Sequence, residues 1–386
     1  MKRLWKIIIR ECGILVRNPI YLFCMVLFPL FIMFFFTSLM GNGLPTELPC
    51  GIVDQDNTST TREIVRRLDA MQTTRVTNYY NSVSEARQAI QQGEIYAFLY
   101  FPDGMTSDLI ASRQPTVSFY FNSVTLMAGA LLMRDLKTVT TLASASVGSA
   151  KLAAIGKTES EIMAFLQPIT IDLHQPNNPW TNYNVYLTTM MVPGIFMLLF
   201  TLLTVYSIGT ELKFSRSKTW MRLSGHNALI AMLGKFLPHT IIFLAMTYGY
   251  QWYIYGHLGF PHVGGTGMII LLGLLMVLSC QGFGIFMFGI APSLRMSMSV
   301  CSLWAVLGIS LSGATFPVFA MHPIIESASC LFPLRHYYMI YQLCVFNGYP
   351  LIDAWTNIII LFAFALMPII VMPKLRKIMM EYVYIP

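Results

Sequence analysis

Six apolar stretches dominate this chain: Ile20–Met40, Tyr183–Ile208, Phe236–Tyr255, Met268–Ala291, Met296–Val318 and Ala354–Met372. Each is close to the roughly 20 residues a helix needs to cross the hydrocarbon of a bilayer. No water reaches that region, so only a helix or a closed barrel can satisfy the backbone there. Runs this long and this continuously apolar are helical, because barrel strands are shorter and alternate in polarity. A composition of 55% hydrophobic and 11% charged residues, with mean hydropathy +0.59, is too apolar for an ordinary soluble domain. The expectation is an α-helical polytopic membrane protein with six transmembrane helices.

Charge sets the orientation. The N-terminus, the segment Gly209–Lys235, Arg295 and the C-terminus together hold fourteen basic residues against Glu11, Glu211 and Glu381. The block Leu44–Trp180 holds 10 basic and 13 acidic residues. Excess Lys and Arg mark the cytoplasmic side of a membrane protein, so both termini are expected in the cytoplasm and residues 44–180 outside it. The net charge of +7 then reports topology, and nucleic acid is not expected as a partner. The first span follows a charged lead of 19 residues and has no small-x-small cleavage site after Met40, so it reads as an anchor, not a signal peptide.

Spans two to six contain no Asp, Glu, Lys or Arg in their interiors. Ion-coupled carriers place ionisable groups inside the bilayer to bind and release the ion, so this chain reads as a poor secondary transporter. If it moves cargo, the energy comes from outside the chain. A membrane anchor that moves nothing is the plainer alternative.

The organisation expected is an interfacial helix over 1–19, a first span over 20–40, an α/β domain over 41–181, the other spans over 182–373 and a tail over 374–386. Within 41–181, Leu48–Asp54, Arg75–Tyr80, Tyr96–Phe101, Thr116–Phe121 and Ile169–Leu173 read as strands. Helices are expected after Ser59 or Thr60, from the Ser82–Glu85 capping box to Gly93, over Thr106–Ala111, and over Val124–Ala154. The inserted α/β domain therefore lies between the first and second spans, and at this length it can hold its own core.

Gly156-Lys157-Thr158 imitates the end of a phosphate-binding loop, but Lys151 stands where the motif needs a glycine. No nucleotide site is expected in this chain. The seven cysteines form no C-x-x-C pair, leaving Cys50, Cys330 and Cys344 as the ones able to meet an oxidising compartment. His257 and His262 lack Cys or acidic neighbours at ligand spacing, so no metal site is expected, and no catalytic constellation is visible. In the N-terminal segment, Trp5, Ile8, Ile9, Cys12, Leu15 and Val16 are expected on one face and Lys2, Lys6, Arg10 and Arg17 opposite, a pattern suited to anionic lipid. The segment Thr210–Lys235 places Trp220, Leu223, Leu229 and Leu233 at helical spacing, which reads as a docking helix or a lipid-bound one.

The ordered set of motifs resembles the type-2 ATP-binding-cassette exporter permeases, drug-efflux-type membrane subunits with a large outer domain. Glu11 with Arg17-Asn18-Pro19 and Pro29-Leu30 is similar to their N-terminal pattern, and Gly51–Thr58, Ser84–Ala86 and Gly93–Ala97 to their outer domain. Leu233-Gly234-Lys235 with Pro238, then Ser312-Gly313, Phe316-Pro317, Met321, Pro323 and Phe332–Tyr338, complete a resemblance spanning essentially the whole chain. It implies a cytoplasmic coupling helix within about 210–235, with Glu211, Thr219, Trp220, Arg222, Leu223 and Lys235 as ATPase-coupling residues. It also implies an N-terminal interfacial helix using Glu11, Arg17, Asn18 and Pro19. An outer gate with re-entrant helices at about 319–345 would use Ser312, Gly313, Pro317, Pro333, Arg335, His336 and Tyr337. The family's acidic coupling stretch is missing: Phe214–Leu223 keeps Thr219 and Leu223 but not the carboxylates or glycine, so a docked groove would be acidic.

On this resemblance the chain is a permease subunit exporting a hydrophobic or amphiphilic substrate, and not itself an enzyme. Partners would be a cytoplasmic ATPase dimer carrying ATP and Mg, a second permease copy or paralogue, membrane lipid, and a periplasmic adaptor with an outer-membrane channel. The chain would carry no cofactor and sit in the plasma (bacterial inner) membrane. The alternative is a membrane-anchored protein whose outer domain binds a partner.

Overall fold

The computed structural model describes residues 2–111, 113–169, 172 and 174–381. The chain forms two compact units, one from Met1–Gly41 with Gln175–Pro386 and one from Asn42–His174.

The first unit is a bundle of apolar helices. Among the described residues, five are long and apolar enough to cross a membrane: Pro19–Leu39, Tyr183–Lys213, Ala228–His257, Gly265–Ile290 and Leu351–Glu381. Tyr183–Lys213 and Gly265–Ile290 form the centre, with 67% and 72% of their apolar windows enclosed, against 33% and 28% for the first and last. Those outer helices leave Phe31, Phe35, Ile359, Ile369 and Ile370 exposed, as a lipid-facing surface requires. Met296–Val318, expected as a span, forms a helix only over Leu294–Ser310. Its end is set by Ser312, whose Oγ donates to the Ile309 carbonyl, and by Gly313 at φ 96°, a conformation open mainly to glycine. The chain then breaks into the short helices Pro323–Ser329 and Pro333–Ile340.

Two other boundaries move in a way that matters. The second span runs past Ile208 to Lys213, and the third begins at Ala228, eight residues before the apolar run. Asn227 caps that start by accepting from the Leu229 and Ile230 amides. Both ends of Thr210–Lys235 are therefore extensions of two spans, and only Ser217–Leu223 is a separate helix. Glu211 and Lys235 consequently belong to membrane-length helices.

The second unit is an α/β layer structure. Strands β1 (Leu48–Asp54), β2 (Thr74–Tyr79), β3 (Ala97–Phe101) and β4 (Ser118–Phe121) pair in the order β2-β1-β3-β4, with only β4 antiparallel. The helices Ser59–Asp69 and Leu126–Ala154 cover one face around Ile52, Leu99 and Phe101, while Val83–Gln92 covers the other around Val53 and Phe98. Ser82 caps its helix as expected, accepting from the Glu85 amide, whereas the first helix is capped by Thr58, so Ser59 and Thr60, the expected caps, lie inside it. Gly156-Lys157-Thr158 is a helix end followed by a capping box with Glu161, which opens Glu159–Leu166, so the triplet has a local structural job. Ile169–Leu173, expected as a strand, lies largely outside the described residues. All seven cysteines are free, including Cys50, Cys330 and Cys344.

Candidate functional site: a buried charge cluster

The Lys2–Arg17 helix buries Ile7, Ile8, Glu11 and Leu15, with Ile7, Glu11 and Leu15 spaced one helical turn apart. The sequence suggests that Trp5, Ile9, Cys12 and Val16 share the face of Ile8 and Leu15, but these four are exposed. A carboxylate sits in the middle of the packed face because partners wait for it. Gly234 lets the helix come in: a Cβ there would stand 2.9 Å from the Ile7 Cβ.

Lys235 Nζ donates at 2.9 Å to both carboxylate oxygens of Glu11 and at 3.0 Å to Oε1 of Glu211. Arg10 grips Glu211 with two parallel bonds of 2.9 and 2.7 Å, a geometry only a guanidinium offers. His239 donates from Nε2 to Glu11 at 3.0 Å, and Ser207 donates to the same oxygen at 3.3 Å. Glu11 and His239 are fully buried, and Lys235 is 1% exposed. Two cations face two carboxylates, so the cluster is neutral when His239 is neutral. Burial alone would raise the Glu11 carboxyl, but the Lys235 charge and the His239 hydrogen bond outweigh it and hold it at about 2.

Trp220 closes the cluster. It is fully buried, its Nε1 donates to the Ala231 carbonyl at 3.2 Å, and Lys235 Nζ lies 5.2 Å from its ring centre. Lys218, Thr219 and Arg222 on the same short helix are exposed, and Leu223 is partly so. The segment thus has an outward face and a buried anchor. Trp220, Glu211 and Lys235, grouped with the coupling residues in sequence, lie beneath that face and do not contribute to it.

At the other predicted sites the structure gives local roles. Asn18 accepts from the Ile20 amide and Pro19 takes the first helical turn, so Arg17-Asn18-Pro19 is a helix break that restarts the chain as a span, with Arg17 exposed. Pro333 starts the Pro333–Ile340 helix. Arg335 on it donates to the Glu326 carbonyl at 2.8 Å and to Ser329 Oγ, and His336 bridges the Cys330 carbonyl and Asn357, both at 2.8 Å. Tyr337 packs in the bundle core, Ser312 is buried and Pro317 is exposed. These residues tie short helices together, while Glu11, Glu211 and Lys235 converge on one point. Sequence reading missed Ser207 and His239. The signal available was spacing: Ser207/Glu211 and Lys235/His239 are i,i+4 pairs on otherwise apolar helices.

No curated protein matches the chain in sequence. A family model described as ABC-2 family transporter protein matches residues 19–372, from the first span to the last. The chain therefore belongs to the ABC-2 family of transporter proteins.

Proposed function

We propose that the chain is the permease half of an exporter in which ATP hydrolysed below the membrane is felt by the spans through the buried charge cluster. Family membership makes it an integral membrane subunit of an ABC transporter that works with a separate ABC ATPase. The finer reading is a pair of permease copies, identical or paralogous, each with six spans if Leu294–Ser310 is extended by its neighbours. Both termini would lie in the cytoplasm, with the α/β unit outside.

The observation that carries this reading is the junction of Lys2–Arg17, Ser217–Leu223 and two membrane-length helices at Glu11, Glu211, Lys235 and Trp220. A push on the exposed side of Ser217–Leu223 is delivered to a packed, charge-locked joint that does not deform gradually. Thr219, Arg222 and Leu223 would meet the ATPase. Arg222 and Lys218 would favour an acidic groove there, matching the absence of carboxylates on this helix.

The cargo proposed is hydrophobic or amphiphilic and leaves the cytoplasm or inner leaflet. Support comes from the uncharged middle portions of the spans and from 26 methionines, which adapt to varied ligands. Within the single chain, the cavity beside Gly194, Met197, Cys280 and Trp304 holds only about 30 Å³, roughly one water. A pathway would therefore form between two copies, where Leu303, Val306 and Leu307 are exposed on Leu294–Ser310. Isolating the tagged chain from its native membranes tests the reading: an ABC ATPase should accompany it, and the chain alone should hydrolyse no ATP. A chain that arrives without an ATPase, or hydrolyses ATP by itself, overturns it.

A further inference from the structure

The α/β unit contains a groove of about 1020 Å³, at the upper end of the size of small-molecule sites. It opens between the Ser59–Asp69 helix, the β3–β4 end of the sheet and the Leu126–Ala154 helix. Its floor reaches the core itself: Ile64, Leu99, Phe101, Met105 and Leu136 line it and are nearly inaccessible to solvent. The helices on this side bury Ile52, Leu99 and Phe101 and leave Val117 and Phe119 partly open.

The lining is basic in an acidic unit. Residues 42–174 carry 13 acidic and 10 basic side chains, yet the groove gathers Arg67, Arg113, Lys137 and Lys151 against Glu63 alone. Arg67 pairs with Glu63 at 3.0 Å and Arg113 with Asp108 at 2.6 Å. Lys137 has no side-chain partner among the described residues, and Lys151 Nζ donates to the Leu109 carbonyl. A ligand fitting such a site needs an apolar body for the floor and a negative head for the rim. A neutral apolar segment would leave the Lys137 charge unanswered, and a small anion would leave the accessible apolar lining at Val117, Phe119 and Met133 wet.

We infer that this groove binds a single-chain amphiphilic anion, a long-chain carboxylate, with its chain on Phe119 and Met133 and its head beside Lys137 and Arg113. This site is separate from the charge cluster and does not depend on the transport reading.

The test uses the full-length chain in phosphatidylcholine nanodiscs, with palmitic acid bearing a chain-terminal diazirine as probe and the neutral monoacylglycerol of the same chain as control. After irradiation, adducts should map to the peptides around Phe101–Phe119 and Met133–Val147 and be displaced by unlabelled palmitate. Lys137→Glu, at an exposed position, should weaken groove labelling about three- to tenfold, the scale of a partly screened charge reversal. Ser144→Trp should block it by filling the lining, and unchanged melting temperatures show that both variants are folded. Adducts confined to the spans, or labelling indifferent to both variants, would overturn the site. Equal groove labelling by the neutral probe would overturn the anionic assignment and point to an apolar partner segment. Groove labelling by a diazirine lysophospholipid but not by the fatty acid would overturn the carboxylate in favour of a membrane-derived phosphate head.

Discussion

Lys235 and Glu11 are 224 positions apart in sequence, and their side chains meet at 2.9 Å in the dry interior of the first unit. Neither charge would be tolerated there alone. Moving a single ion out of water costs several kcal/mol even after relaxation, and the pair is held because Arg10, Glu211, His239 and Ser207 satisfy what remains.

The first prediction removes one partner. Lys235→Met leaves Glu11 and part of Glu211 buried without a counter-charge, and should destabilise the chain by about 3–5 kcal/mol. Adding Glu11→Gln to that variant removes the orphaned charge and leaves the Arg10–Glu211 pair intact. The double variant should recover much of the loss in thermal unfolding, and a strictly additive result would show that the two residues are not coupled.

Acid should loosen the same joint. Glu11 titrates near 2 in the folded chain, below its ordinary 4.5, so its contribution is complete above about pH 4.5 and is lost as the pH falls toward 2. The shift corresponds to something on the order of 3 kcal/mol. Unfolding measured across this window should show a steeper pH dependence for the natural chain than for Glu11→Gln. Equal slopes would mean that Glu11 is not ionised against Lys235.

On the short helix, the two faces should separate in experiment. Arg222→Glu changes the outward side and should abolish ATPase binding or its response to the permease while leaving the melting temperature nearly unchanged; Leu223→Asp should do the same at some cost in stability, because Leu223 also packs against the core. Trp220→Ala empties a fully buried site and should cost about 3–5 kcal/mol of stability. Normal export by Leu223→Asp would show that force enters elsewhere, with the Lys2–Arg17 helix the next place to look.

Orientation can be read by thiol labelling in intact cells on a Cys-less background. Ser107 is exposed in the α/β unit and Lys218 is exposed beside the charge cluster, whereas Ser217, the neighbouring choice, is buried. An impermeant reagent should label Ser107→Cys and spare Lys218→Cys. The reverse pattern would invert the topology drawn from the charge distribution.

Length and hydropathy made the helical membrane class legible, since nothing else accommodates runs such as Gly265–Ile290. Turn and capping chemistry likewise marked Leu48–Asp54 and the Ser82-capped helix, because those signals act within a few residues. The cluster was harder to see. Glu211 and Lys235 each sit just beyond an apolar run, and there a charge normally means contact with water. What draws them inward is a helix from the other end of the chain, and no local window contains Glu11, Ser207 and Lys235 together. Trp5, Ile9 and Val16 stay exposed while Ile8 and Leu15 are buried, because an apolar stripe does not say whether lipid or protein will cover it. The helix expected over Met296–Val318 stops at Ser310 because Ser312 and Gly313 end it, which hydropathy alone does not weigh.

The separation of Glu11 from its partner also orders events during synthesis. At roughly 5–20 residues per second, the ribosome needs some ten to forty-five seconds after making Glu11 before Lys235 exists. Through that interval the first helix cannot dock, because its packed face would carry a lone carboxylate into an apolar setting. It must wait in the watery margin of the membrane until the third span arrives. A chain stopped before Lys235 would keep that acidic face undocked, and so would carry a visible mark of being unfinished.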